Sequence, residues 1–133
     1  ETVKLLLNHP NIDVNKQNKD CCTALMMACR YSNKNTVKLL LNHPNIDMNK
    51  QDNDGCTALI FACGYNKKTV KLLLKESNID VNKQNNKGDT ALMMACRNSN
   101  TVIVKLLSNH ANSNTETVKL LLNHPNIDVN KQN

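Results

Sequence analysis

The stretch Thr23–Gln51 reads TALMMACRYSNKNTVKLLLNHPNIDMNKQ, and it returns almost unchanged at Thr57–Gln84 as TALIFACGYNKKTVKLLLKESNIDVNKQ. Working outward, Thr-Ala-Leu recurs at Thr23, Thr57 and Thr90, at spacings of 34 and 33. Val-Lys-Leu-Leu begins at Val3, Val37, Val70, Val104 and Val118, and only the last interval, 14 residues, breaks the period. Ile-Asp-(Val/Met)-Asn-Lys-Gln starts at Ile12, Ile46, Ile79 and Ile127. Self-similarity at a period of 20–50 residues is the mark of a stacked-repeat architecture, in which one unit cannot bury its own apolar face.

Local signals within a unit agree. Thr23 is an N-cap residue ahead of good helix formers, which predicts a helix over Ala24 to Arg30. Ser32 to Asn35 interrupts it. From Thr36, the apolar residues Val37, Leu40 and Leu41 fall at i, i+3 and i+4, the stripe of a second helix. Asn42-His43-Pro44-Asn45 stops that helix, with Asn45 expected to take the left-handed capping conformation. Asp54-Gly55 and Lys87-Gly88 read as tight turns. Each unit is therefore a turn followed by two short antiparallel helices.

Composition fits an all-α solenoid. Among 133 residues 40% are apolar, yet there is no Trp, one Phe and two Tyr, so the core is built from Leu, Val, Ile, Ala, Met and Cys. Seventeen basic against 11 acidic residues give a formal charge of +6, mildly basic rather than polybasic. The chain holds 24 asparagines, a bias that reads as the trace of an AT-rich genome. Apolar runs are far shorter than the 18 or so residues that a membrane span requires. The chain opens at Glu1 without Met or a signal region, so it reads as part of something longer.

The unit resembles an ankyrin repeat. Gly55, Gly88, Leu25, Leu59, Leu92, Ala28, Ala62, Ala95 and the Asp13-Val14-Asn15 type of close match the family pattern. The departures are definite: Ala24, Ala58 and Ala91 replace the motif proline, and Met26, Ile60 and Met93 replace the motif histidine, which removes a polar bridge between repeats. Cys21 stands where the turn glycine belongs, so the first turn is expected to be strained or less regular. The resemblance implies one solenoid domain over 1–133: an N-terminal half-repeat at 1–15, repeats at 16–49, 50–82 and 83–110, and a truncated half-repeat at 111–133. Taken literally, 101–109 and 115–123 are two helices on a short link. Glu1–Asn18 and Glu116–Asn133 are identical.

Six cysteines in so short a chain raise the question of disulfides. Cys29, Cys63 and Cys96 share one helix position, and stacked helices about 8–10 Å apart are too distant for bonds that need Cα separations of about 4.4–6.8 Å. They are expected to be buried free thiols, in a reducing, intracellular compartment, cytoplasmic or the cytoplasm of a host cell. No C-x-x-C, nucleophile elbow or phosphate-binding loop occurs, so no catalytic residue, metal site or cofactor is assigned. Asp13, Asp47, Asp80 and Asp128 are one repeated structural position rather than a dyad.

The resemblance implies a non-catalytic protein-interaction module whose protein partner sits on the concave face of turn tips and first helices. Mapped onto this chain, that face is Gln17, Lys19, Asp20, Arg30 and Tyr31 in the first unit. The second contributes Gln51, Asn53, Asp54 and Tyr65. The third contributes Gln84, Asn86, Lys87, Asp89, Arg97 and Asn98, with Tyr31, Tyr65, Arg30 and Arg97 as anchors because Tyr and Arg dominate interface energies. The alternatives are a passive spacer within a longer repeat protein and, third, weak salt-dependent nucleic-acid binding through lysine ladders. The last is disfavoured because acidic residues alternate with the lysines along the chain and aromatics are scarce. End-to-end self-association through the apolar stripe Val3, Leu6 and Leu7 is a further expectation. By resemblance alone, Asn15, Asn49, Asn82 and Asn130 have the spacing of asparaginyl-hydroxylase substrates, and the Asn- and Lys-rich composition is similar to that of ankyrin proteins of giant DNA viruses, amoebae and protozoan parasites.

Overall fold

The computed structural model describes residues 2–110, apart from the side chain of Tyr65. Its helices are α1 (Thr2–Leu7), α2 (Ala24–Arg30), α3 (Lys34–Leu41), α4 (Ala58–Tyr65), α5 (Lys67–Leu74), α6 (Ala91–Arg97) and α7, helical over 101–110. No strand occurs among the described residues. Helices α2, α4 and α6 pack side by side as an inner row, and α1, α3 and α5 as an outer row. Between units the chain makes a projecting turn, here called a finger. The expected helix at 115–123 and the half-repeat 111–133 lie outside the described residues.

Threonine starts every inner helix. The Oγ1 atoms of Thr23, Thr57 and Thr90 accept hydrogen bonds from the N–H groups of Met26, Ile60 and Met93 at 3.2, 3.2 and 3.3 Å. Satisfying one of the orphan donors of a helix start is worth about 1 kcal/mol. The inner helices then interlock by size. Leu25, Met26 and Cys29 of α2 and Leu59, Ile60 and Cys63 of α4 are buried, as are Ala58 and Ala62 of α4 and Ala91 and Ala95 of α6. Each inner helix thus presents an alanine side to the preceding unit and a Leu, Met or Ile and Cys side to the next. Burying one such large side chain contributes about 1.5–3 kcal/mol.

Helix ends depart from the sequence expectation in two places. Asn45 is not left-handed; its N–H donates to Nδ1 of His43 at 3.1 Å, and α3 closes on Asn42 in the right-handed region. The left-handed residues are Ser32 and Ser99, with φ of 57° and 53°. After α2, the N–H of Ser32 donates to Cys29 O at 3.2 Å and that of Asn33 to Ala28 O at 2.9 Å, a paired closure that ties off the last carbonyls. Asn33 then caps α3 by accepting from Thr36 N–H, so α3 begins at Lys34, two residues before the expected Thr36. The second repeat lacks the serine. Asn66 accordingly closes α4 and caps α5 at once, which accounts for the one-residue difference between the 34- and 33-residue spacings.

The finger turns are alike in all three units. The N–H groups of Cys21, Gly55 and Gly88 donate to the carbonyls of Asn18, Asp52 and Asn85, each at 2.9 Å, with φ of 62°, 78° and 82°. Cys21 thus adopts the glycine conformation at a steric cost, and the expected irregularity of that turn is not found.

Candidate functional site

The fingers and inner helices make one continuous face, and much of its polar chemistry is directed inward. The amide of Gln17 donates to Cys21 O at 2.6 Å within its own finger and to Gln51 O of the next at 3.1 Å. Gln51 repeats this with Gly55 O at 2.9 Å and Gln84 O at 3.0 Å, and Gln84 closes its own finger on Gly88 O at 3.1 Å. Asn53 Nδ2 donates to Lys19 O at 3.3 Å and Asn86 Nδ2 to Asn53 O at 2.8 Å. Backbone bonds from Asn53 N to Asp20 O (3.0 Å) and Asn86 N to Asp54 O (2.8 Å) complete the ladder. Four of these amides, Gln17, Gln51, Asn53 and Asn86, bind neighbouring turns together, a use that their sequence assignment to a contact face did not foresee. They also supply the polar bridge lost with the motif histidine, since Met26 and Ile60 lie in the core.

A second ladder runs along the closing loops. Asn15 donates to Asn45 O at 2.7 Å and accepts from Asp47 N–H at 2.8 Å; Asn49 does the same with Asn78 O and Asp80 N–H at 2.7 and 2.9 Å. Asp13, Asp47 and Asp80 each accept the N–H two residues on at 3.0 Å, one structural role repeated in each unit. The asparagines singled out as hydroxylation positions therefore organise the loops at 15 and 49; Asn82 is exposed, and Asn130 and Asp128 lie outside the described residues.

What is left exposed differs from unit to unit. Lys19, Asp20, Asp54, Lys87 and Asn98 are exposed, as are Arg30 and Tyr31 at the end of α2, Tyr31 by 70%. Arg97 occupies the position of Arg30 but is held by Asp89, with Nη1 and Nη2 each 2.9 Å from a carboxylate oxygen. The Arg97 guanidinium, by its hydrogen bonds first, holds the Asp89 carboxyl below its usual range. In the second unit Gly64 stands at this position, and the missing side chain leaves a recess of about 390 Å³ lined by Cys56, Ile60, Phe61, Gly64, Met94 and Asn98.

The thiols divide by depth. Burial pushes both Cys29 and Cys63 up to about 12, so they remain protonated and unreactive in the folded chain. Cys22 and Cys56 are half-buried and also raised, by burial first and then by the charge of Asp52. Cys96, expected to be buried like its two equivalents, is exposed, because its side of α6 faces no further inner helix among the described residues. None of the six cysteines is in a disulfide. Among the described residues no three His, Cys, Asp or Glu side chains converge on a metal position, and no helix is long and apolar enough to cross a membrane.

A stacked two-row helical repeat with threonine-capped inner helices and hydrogen-bonded fingers can now be set beside known families. The family model of ankyrin repeats, in three copies, matches residues 1–85 and 69–117. The chain belongs to the ankyrin-repeat family. Ankyrin repeats are in general protein-interaction modules, typically non-catalytic, which is the coarse function this membership carries. No curated protein matches the chain at a significant level.

Proposed function

We propose that this ankyrin stack binds a protein partner through its fingers and inner helices, with no catalytic step. The observation that carries the reading is the division of labour on that face. Residues that recur, Gln17, Gln51 and Gln84 with Asn53 and Asn86, are turned into bonds between or within fingers. Residues that vary between units, Lys19 where the other fingers have a ladder asparagine, Asp20 and Asp54 against Lys87, and Arg30 against Gly64, carry most of its exposed chemistry. A rigid ladder that offers a different side chain at each rung suits recognition of one irregular surface, because ordering costs have been met before the partner arrives. Arg30 and Tyr31 are the protruding anchors, and the open, mainly apolar recess beside Phe61 and Gly64 offers the partner a surface for apolar contact.

The test is an affinity capture from the source cells or their host, with wild type against a Tyr31→Ala/Tyr65→Ala/Arg30→Ala bait whose unfolding curve matches wild type. A partner retained by the first and lost by the second supports the reading. Equal recovery from both baits favours a passive spacer, whose ladders serve adjacent repeats alone.

A further inference from the structure

The lysines that alternate with acidic residues along the chain do not alternate on the folded surface. Helices α1, α3, α5 and the described part of α7 contain seven lysines and no acidic residue. The eight acidic residues among those described all lie in fingers, loops or helix-flanking turns, where lysines and arginines accompany them. The fold therefore sorts most of the charges: a balanced finger side, and an outer row that is cationic along its helices, with Glu76, just past the end of α5, the one acidic side chain in the groove shared with Lys38 and Lys75. Of the two sequence features that disfavour a lysine track, the alternation with acidic residues does not extend to the outer helices, and the scarcity of aromatics stands.

The outer row is ordered as well as charged. Lys4, Lys38, Lys71 and Lys105 occupy one repeat position, the second of Val-Lys-Leu-Leu, and all four are exposed. Helices packed about 8–10 Å apart would set these four along a line of roughly 24–30 Å. Lys34 and Lys67 stand one turn earlier on the same helical face as Lys38 and Lys71, and Lys75 one turn beyond Lys71. Like charges a turn apart destabilise a helix, and the one salt bridge among the described residues, Asp89 with Arg97, lies in the inner row and relieves none of them. An ordinary solvated face mixes both signs.

We infer that the outer row is a track for the phosphate backbone of double-helical nucleic acid, bound without regard to sequence. A straight line of cations gains most from a straight polyanion of high charge density, and a duplex carries one charge per about 1.7 Å of its axis. The row contains neither arginine nor an aromatic residue. That removes the bidentate base contacts of sequence-specific readers and the stacking platforms of single-strand binders, leaving backbone neutralisation. This surface is distinct from the finger and inner-helix face.

The test is fluorescence anisotropy with a labelled 20-base-pair duplex of mixed sequence, from 50 to 200 mM salt. Binding should be equal for two unrelated sequences and fall with salt at a log–log slope of about −4, as expected for four to five neutralised phosphates. K38Q/K71Q/K105Q should weaken it at least tenfold and flatten the slope, whereas K16Q/K19Q/K87Q, which removes the same charge from the fingers, should change it less than twofold. The concave-face bait Y31A/Y65A/R30A should bind the duplex like wild type, which separates this inference from the proposed function. Equal losses in the two lysine variants would reduce the effect to net charge and overturn the proposal. So would no binding at 50 mM salt, or tighter binding to vesicles containing 30% phosphatidylserine that the outer-row variant abolishes. Should the triple outer-row variant unfold, K71Q alone, expected to cost about twofold, takes its place.

Discussion

Thr23–Arg30 and Thr90–Arg97 are the same eight residues, TALMMACR, in two places of one stack. In the first, Leu25 and Met26 are each 1% exposed and Cys29 is fully buried. In the second, Leu92 is 40% and Met93 48% exposed, and Cys96 is exposed too. Their first alanines behave the other way: Ala91 is buried and Ala24 is exposed, while the second pair, Ala28 and Ala95, is buried in both. Local sequence gives both segments the same capped helix, and the neighbour decides which side of it becomes core. The arginines differ for a local reason instead, since the residue before the capping threonine is Asp89, which grips Arg97, in one unit and Cys22, near Arg30, in the other.

The comparison breaks most forcefully at its leucines. Leu25→Ala and Leu59→Ala should each cost about 2–5 kcal/mol of unfolding free energy, whereas Leu92→Ala should cost about 0.5 kcal/mol. Urea denaturation followed by far-UV circular dichroism measures all three, and equal losses would mean that the segments are not differently packed. A similar contrast holds between the two finger glycines. A Cβ on Gly55 would lie 2.8 Å from the backbone nitrogen of Asn86, on top of a φ of 78°, so Gly55→Ala should lose about 2 kcal/mol or more. Gly88, with φ of 82°, has open space around it, and Gly88→Ala should lose about 1 kcal/mol from backbone strain alone. The effect reverses sign at the first finger: Cys21→Gly should raise stability by up to about 1 kcal/mol, because φ of 62° suits glycine and no ladder bond depends on the thiol.

Much of this fold was legible in the chain because its signals are local. Threonine caps, the Asp54-Gly55 and Lys87-Gly88 turns and the Val-Lys-Leu-Leu stripe each act within a few residues, and each is where it was expected. The left-handed Ser32 and Ser99 were not legible, since serine rarely takes a position that glycine or asparagine fills, and only the closing bonds to Ala28 and Ala95 carbonyls show it. The candidate face was half legible. Gln17 and Gln51 sit where a contact residue belongs, yet their amides are used 34 and 33 residues away, a partnership that no local pattern encodes. The asparagine excess likewise proves to be structural in part, as helix caps at Asn33 and Asn66 and loop ladders at Asn15 and Asn49.

The buried thiols make the comparison measurable over pH. Cys29 and Cys63 are raised in the folded chain to about 12 from an ordinary value near 9. Their neutral form is the one the fold favours, so their contribution is complete below pH 9 and is lost as pH rises from about 9 toward 12. Stability measured by urea denaturation should fall across that window in wild type and fall less in Cys29→Ala/Cys63→Ala.

The most direct measurement is pulsed alkylation of the native chain at neutral pH, with the modified cysteines of tryptic peptides Asp20–Arg30 and Gly88–Arg97 assigned by fragment-ion mass, which tells Cys29 from Cys21 and Cys22 in the first peptide. Stacking as described predicts that Cys96 is modified within the pulse while Cys29 reacts only at the rate of unfolding. If Cys29 and Cys96 are modified at the same rate, the neighbour does not decide burial in this stack, and the account of how its faces arise is wrong.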